Sequence, residues 1–159
     1  MPLSISPAAR CLDALFRYEL AAARCYLLAE TFLIAERDTL STIRRSHEVA
    51  AATLHNQILI LDHPPSDGPG LWGALPTLVT ASTALCACWA VLTVLIGSER
   101  HGIATYSAAC RIPVLPSPVC IIFESTLLPM MNGHVRTLEQ LTARSAVKRP
   151  GSDEPVRLA

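Results

Sequence analysis

The sequence predicts an all-α protein built as an antiparallel four-helix bundle. Three observations predict it. Four long stretches each carry one apolar stripe at helical spacing, the pattern of helices that bury a single face. Pro- and Gly-rich runs separate the stretches, most plainly His63-Pro64-Pro65-Ser66-Asp67-Gly68-Pro69-Gly70. No stretch alternates apolar and polar residues as a strand does, and there is no internal repeat. At 159 residues the chain suits one domain. The bundle is expected over residues 8–145, with 146–159 a flexible, disordered tail that is polar and proline-bearing.

The first helix is expected from Pro7 to about Arg37. Ser6 can cap it, and Pro is accepted in a first helical turn. Its stripe is Leu12, Leu15, Phe16, Ala22, Ala23, Tyr26, Leu27 and Leu33, with Glu19 inside it and Glu30 at its edge. Asp38 or Thr39 can cap the second helix. Its stripe is Leu40, Ile43, Ala50, Ala51, Leu54, Ile58 and Leu61, with His47 in the middle. Pro64 and Pro65 stop it near Asp62.

The third helix is expected from about Leu75 to about Cys110, with Gly97 or Gly102 as a kink. Gly68 to Ser98 contains no charged side chain. The later stripe is Leu85, Trp89, Leu92, Leu95, Ile96, Ile103 and Tyr106, and Glu99 falls within it. Pro113, Pro116 and Pro118 mark the next turn. The fourth helix is expected from about Pro118 to about Arg144, kinked at Pro129 or Gly133. Its stripe is Cys120, Phe123, Leu127, Met130, Met131, Leu138 and Leu141, and it includes His134.

Composition excludes some partners. Lys plus Arg and Asp plus Glu each number 13, so no basic face is available and nucleic acid is not expected as a partner. Apolar residues make up 51% and charged residues 16%. Little charge keeps such a chain apart from its neighbours. A helix without a wet face needs cover, so a homodimer through the uncharged third helix is expected, or a membrane contact. The stretch Thr77 to Gly97 is also long and apolar enough for the rival reading of a single membrane span. The start, Met1 to Pro7, has neither a basic segment nor an apolar run, so no signal peptide is read there. The expected compartment is cytoplasmic, with the inner membrane as alternative. Six cysteines lie in apolar segments and form no C-x-x-C pair. They read as reduced, inert core residues.

Certain residues resemble a bacterial ferritin-like family of unknown function. They are Ser46-His47-Glu48 through Leu54, then Pro65-Ser66, then Gly70-Leu71-Trp72-Gly73-Ala74 as a Trp-Gly linker. A Glu-x-His-Gly-x-x-x-Tyr segment follows at Glu99, His101, Gly102 and Tyr106. A Leu-Leu-Pro segment with a later His follows at Leu127, Leu128, Pro129, His134, Leu138 and Leu141. The resemblance spans roughly residues 8–145 and implies a ferritin-like bundle without implying an activity. One departure is the third helix, which carries several charges in relatives and here has none before Glu99.

Each stripe holds one protic residue out of place in an apolar face: Glu19, His47, Glu99 and His134. Di-iron proteins of ferritin-like fold use a Glu from each of two helices and a Glu-x-x-His from each of the other two. This chain has the Glu, His, Glu, His order but lacks both bridging carboxylates. Arg44 and Met131 stand three residues before the two histidines. The four residues are candidate ligands for iron or another divalent metal. The preferred reading is that they form satisfied buried polar pairs, with Tyr26 and Tyr106 hydroxyls helping. Folding the helices about Asp38 and Leu115 predicts the contacts Glu30–His47 and Glu99–His134. No catalytic residue and no resident cofactor are expected, because no phosphate loop, nucleophile elbow or H-E-x-x-H motif is present. The expected function is non-catalytic, structural or stress-related. The alternative is a metal-binding or degenerate di-iron oxidoreductase.

Overall fold

Ser6 opens the fold as the sequence predicts. Its Oγ accepts the Ala9 backbone N–H at 3.1 Å, and α1 runs Pro7–Phe32. The computed structural model describes residues 6–68 and 88–147. Among these, every regular element is helical. A short 3-10 turn, Ile34–Glu36, leads into α2, Arg37–Ile60. Asp38 and Thr39 do not cap α2. It starts at Arg37, so both lie inside its first turn, and Glu36 stands at the N-cap without a side-chain bond. Asp62 then takes φ 55°, a left-handed conformation that Asp tolerates, and this ends the helix.

Next comes α3, Cys88–Arg111. A fourth rod follows as α4, Ser117–Ile122, a π-helical turn, Phe123–Leu127, and α5, Leu128–Val147. The π turn is the irregularity expected at Pro129, displaced toward the N-terminus. Proline has no N–H for the carbonyl four residues back, and its ring crowds that carbonyl. The preceding turn widens instead, and the Leu128 N–H bonds back to Phe123 O.

Two apolar clusters fix how the rods lie. One joins Leu12, Leu15 and Phe16 of α1 to Leu54 and Ile58 of α2, Tyr106 and Ala109 of α3, and Phe123 and Met131 of the fourth rod. The other joins Tyr26 and Ala29 to Leu40 and Ile43, then Leu92 and Leu95, then Leu138 and Leu141. The early part of α1 therefore meets the late parts of α2 and α3, so α1 runs opposite to both. α2 and α3 run the same way, and the chain changes ends between them. Glu19, His47, Glu99 and His134 each fall between the cluster residues of their own helix. They form a polar layer between two apolar ones.

Among the described residues two stripe members are exposed. Leu27 of α1 is 54% and Trp89 of α3 47% exposed, and on α1 Cys25 and Ala29 are buried while Leu27 is not. The apolar face of α1 is thus rotated slightly from the expected one. At the far end of α2, Asp13 ties the following loop to α1. Its carboxylate accepts the Ser66 N–H at 2.9 Å, the Ser66 hydroxyl at 2.7 Å and Arg17 Nε at 2.9 Å.

The Trp-Gly linker, the first part of the expected third helix (75–87) and residues 148–159 lie outside the described residues. So does most of the expected dimer face, and so does 77–87 of the proposed span. Among the described residues no helix is long and apolar enough to cross a membrane.

α3 continues through Gly97 and Gly102 without a break in the helix. Gly102 is a point of close approach, where an added Cβ would overlap the Tyr18 phenol and the Met131 methyl. Tyr18 cannot retreat freely, because its hydroxyl donates to Ser98 O at 2.9 Å. Gly97 faces open space. Opposite signs follow. Gly97→Ala is expected to stabilise by about 0.5–1 kcal/mol through helix propensity. Gly102→Ala is expected to destabilise by about 1–3 kcal/mol through overpacking. Urea unfolding of both variants checks this, and a stabilised Gly102→Ala protein would contradict the packing described.

Candidate metal centre

Each helical rod brings one protic side chain to the polar layer. Glu19, His47 and Glu99 are fully buried, and His134 is 7% exposed. The His47 ring lies between two carboxylates. Its Nδ1 meets Glu19 Oε2 at 2.6 Å, and its Nε2 meets Glu99 Oε1 at 2.8 Å. Glu99 Oε2 meets His134 Nδ1 at 3.3 Å. Two phenols complete the layer. Tyr26 donates to Glu99 Oε1 and Tyr106 to Glu19 Oε1, each at 2.6 Å. Tyr26 also stacks on the His47 ring, with centroids 5.3 Å apart and planes at 23°.

The sequence reading identifies these four residues and both tyrosines, and the structure brings all six together. Glu99–His134 is the expected contact. Glu30–His47 is not formed. The hairpin turns at Leu33–Glu36, ahead of Asp38, and a pivot near residues 34–35 moves the register by about two helical turns. His47 then lies level with about Ala22, roughly 4.5 Å along the axis from Glu19. Glu30 instead pairs with Arg44, whose Nε meets Glu30 Oε1 at 2.7 Å. Asp13 lies outside the apolar stripe, so the stripe pattern does not identify it. Its signal was present: an acidic residue beside the stripe, six positions before Glu19.

The layer is strongly polarised. Burial disfavours a charged His47, but the Glu19 and Glu99 carboxylates outweigh it and raise the imidazole to about 10. Burial also acts against a charged Glu99. His47 and His134 overcome it and lower the carboxyl to about 2. Burial first, and then the neighbouring carboxylates, push the Tyr26 and Tyr106 hydroxyls well above the ordinary phenol value, so both stay donors. With carboxylates at both ring nitrogens, the metal-free His47 is an imidazolium donating both N–H groups. No buried side-chain polar atom lacks a partner among the described residues.

The same arrangement tests which metal could fit. One donor atom each from His47, Glu99 and His134 lie within 4.8 Å of one another, all in buried residues. Two imidazoles and a carboxylate suit a single first-row divalent ion. They do not suit a pair. A second ion needs bridging carboxylates, and the residues at those positions serve elsewhere. Arg44 is held by Glu30 and Glu48 at the surface side. Met131 is fully buried in the first apolar cluster.

The described cysteines belong to no such group. Cys11, Cys25, Cys88, Cys110 and Cys120 are free thiols, and burial raises Cys25 to about 12, which leaves it protonated and inert. Comparison with protein-family models, with curated proteins and with solved structures gives no match.

The metal-free layer has a pH signature. The stability from His47, whose folded value is raised, is full below its ordinary 6.5 and is lost as pH rises through about 10. The stability from Glu99, whose folded value is lowered, is full above its ordinary 4.5 and is lost as pH falls toward about 2. Thermal melting in chelator is expected to peak between these two ordinary values and to decline toward both limits. A melting temperature that stays flat from pH 6.5 to 10 would contradict the His47 imidazolium.

Proposed function

We propose that the protein is a ferritin-like bundle that binds one divalent transition-metal ion at its centre. The observation that carries this reading is the convergence of His47, Glu99 and His134, all buried, from three separate helical rods. Support for the ferritin-like arrangement comes from the parallel run of α2 and α3. Ferritin-like bundles have one long crossover connection, which joins two helices of the same direction.

His47 and His134 supply neutral nitrogen donors, and Glu99 supplies a negative charge against the ion. Tyr26 keeps Glu99 oriented by donating to Oε1. His134 is the least deeply buried of the three, at 7% exposure. When bound, such an ion supplies Lewis acidity and coordination positions that the three protein ligands leave open. A two-ion oxidoreductase is disfavoured by Arg44 and Met131.

A second reading is favoured by one observation. No fully buried side-chain polar atom of the layer lacks a partner, so the layer can serve as a purely structural core that sets helix register. Metal uptake separates the two. Chelator-treated protein titrated with Fe(II), Zn(II) or Co(II) is expected to take up one equivalent at micromolar affinity or tighter. Glu99→Gln is expected to lose uptake. Absence of uptake by the unsubstituted protein would contradict the metal reading and leave the structural one.

A further inference from the structure

We infer that Glu19 is the positioning residue of this centre and not one of its ligands, with Tyr106 fixing Glu19 in turn. The inference rests on the single-metal reading above. The sequence presents Glu19, His47, Glu99 and His134 as four equivalent positions, one per helix. Their geometry is not equivalent. Glu19 meets His47 at Nδ1, whereas Glu99 meets it at Nε2. The two nitrogens of an imidazole point away from each other. An ion held by Nε2, Glu99 and His134 is therefore on the opposite edge of the ring from Glu19.

Both Glu19 oxygens are also engaged. Oε2 receives the His47 Nδ1–H at 2.6 Å, and Oε1 receives the Tyr106 hydroxyl at 2.6 Å. Tyr106 is itself fixed, packed edge-on against Phe123 with centroids 4.8 Å apart and planes at 88°. The sequence Tyr106 to Glu19 to His47 runs from α3 through α1 to α2, and every member is fully buried. A carboxylate on the far nitrogen of a metal-bound imidazole holds the tautomer and the ring orientation, and it makes the ligating nitrogen more basic. Tyr26, stacked on the ring, resists its rotation. Glu19 thus makes Nε2 the donor that His47 offers.

The full-length protein, freed of metal, is titrated with Co(II) and Zn(II) as wild type, Glu19→Gln, Glu19→Ala, Tyr106→Phe and Glu99→Gln. Each titration is made well below the melting temperature of that variant. In Glu19→Gln the Co(II) visible bands are expected at their wild-type positions, because the ligand set is unchanged. Affinity is expected to fall about 10–100-fold. Glu19→Ala is expected to fall further and Tyr106→Phe less. Glu99→Gln, which loses a ligand, is expected to shift the bands. Glu19→Gln is nearly isosteric and carries the test if Glu19→Ala does not fold. A band shift in Glu19→Gln like that in Glu99→Gln overturns the inference, because it makes Glu19 a ligand. Unchanged affinity in Glu19→Gln overturns it as well. A wild-type protein that binds neither ion overturns the metal reading itself, and this inference falls with it. The wild-type arm alone distinguishes that failure from the others.

Discussion

The fold depends on one buried imidazole held between two carboxylates. His47 of α2 joins Glu19 of α1 to Glu99 of α3, at 2.6 Å and 2.8 Å, with no exposure to solvent. Removing three ionisable groups from water is costly unless every lone pair and proton finds a partner. Here the neighbours of each group supply those partners. Tyr106 satisfies the second Glu19 oxygen, His134 of the fourth rod meets the second Glu99 oxygen, and Tyr26 donates to the Glu99 oxygen that faces His47. A slip of one residue on any helix would strand a buried charge. The polar layer therefore specifies register in a way that the apolar clusters on either side, built from interchangeable aliphatic contacts, cannot.

That layer also links structure to function. The groups that satisfy His47 in the metal-free protein are those that would orient and charge-balance a metal-bound imidazole. Glu99 is the pivot, because both histidines face its carboxylate. Glu19 sits behind the ring, at Nδ1 and away from the edge that faces Glu99, which fits a one-ion centre and not a two-ion centre, whose bridging carboxylates the sequence lacks. Arg44 and Met131 are consistent with this. One belongs to a surface ion-pair network and the other to an apolar cluster.

Much of this was legible in the sequence. Four apolar stripes gave four helical rods, and each stripe contained one protic residue that could not be left unpaired there. Those anomalies mark the residues that meet in the buried polar layer. Register was less legible, because a hairpin pivot only three or four residues from the expected one moves the partner by twice that amount. A pivot at Asp38 pairs His47 with Glu30, whereas the turn at Ile34–Glu36 brings it to Glu19. The π turn was visible as a proline but not as a place, since the strain at Pro129 is relieved in the turn before it. Gly102 reads as a kink in one dimension and proves to be a contact in three, because only the fold reveals Tyr18 and Met131 against it. Asp13 was overlooked because its partner, Ser66, is a loop residue whose position no periodicity predicts.

The central claim is that His47, Glu99 and His134 converge on one ion while Glu19 holds the far side of the His47 ring. A crystal structure of the protein grown with Co(II), with anomalous data at the cobalt edge, tests it most directly. The predicted result is one anomalous peak about 2.0–2.2 Å from a nitrogen of each histidine and from a Glu99 oxygen, with Glu19 still on His47 Nδ1. A map without a peak, with His47 still bonded to both carboxylates, would contradict the claim. So would two peaks, or one ligated by Glu19.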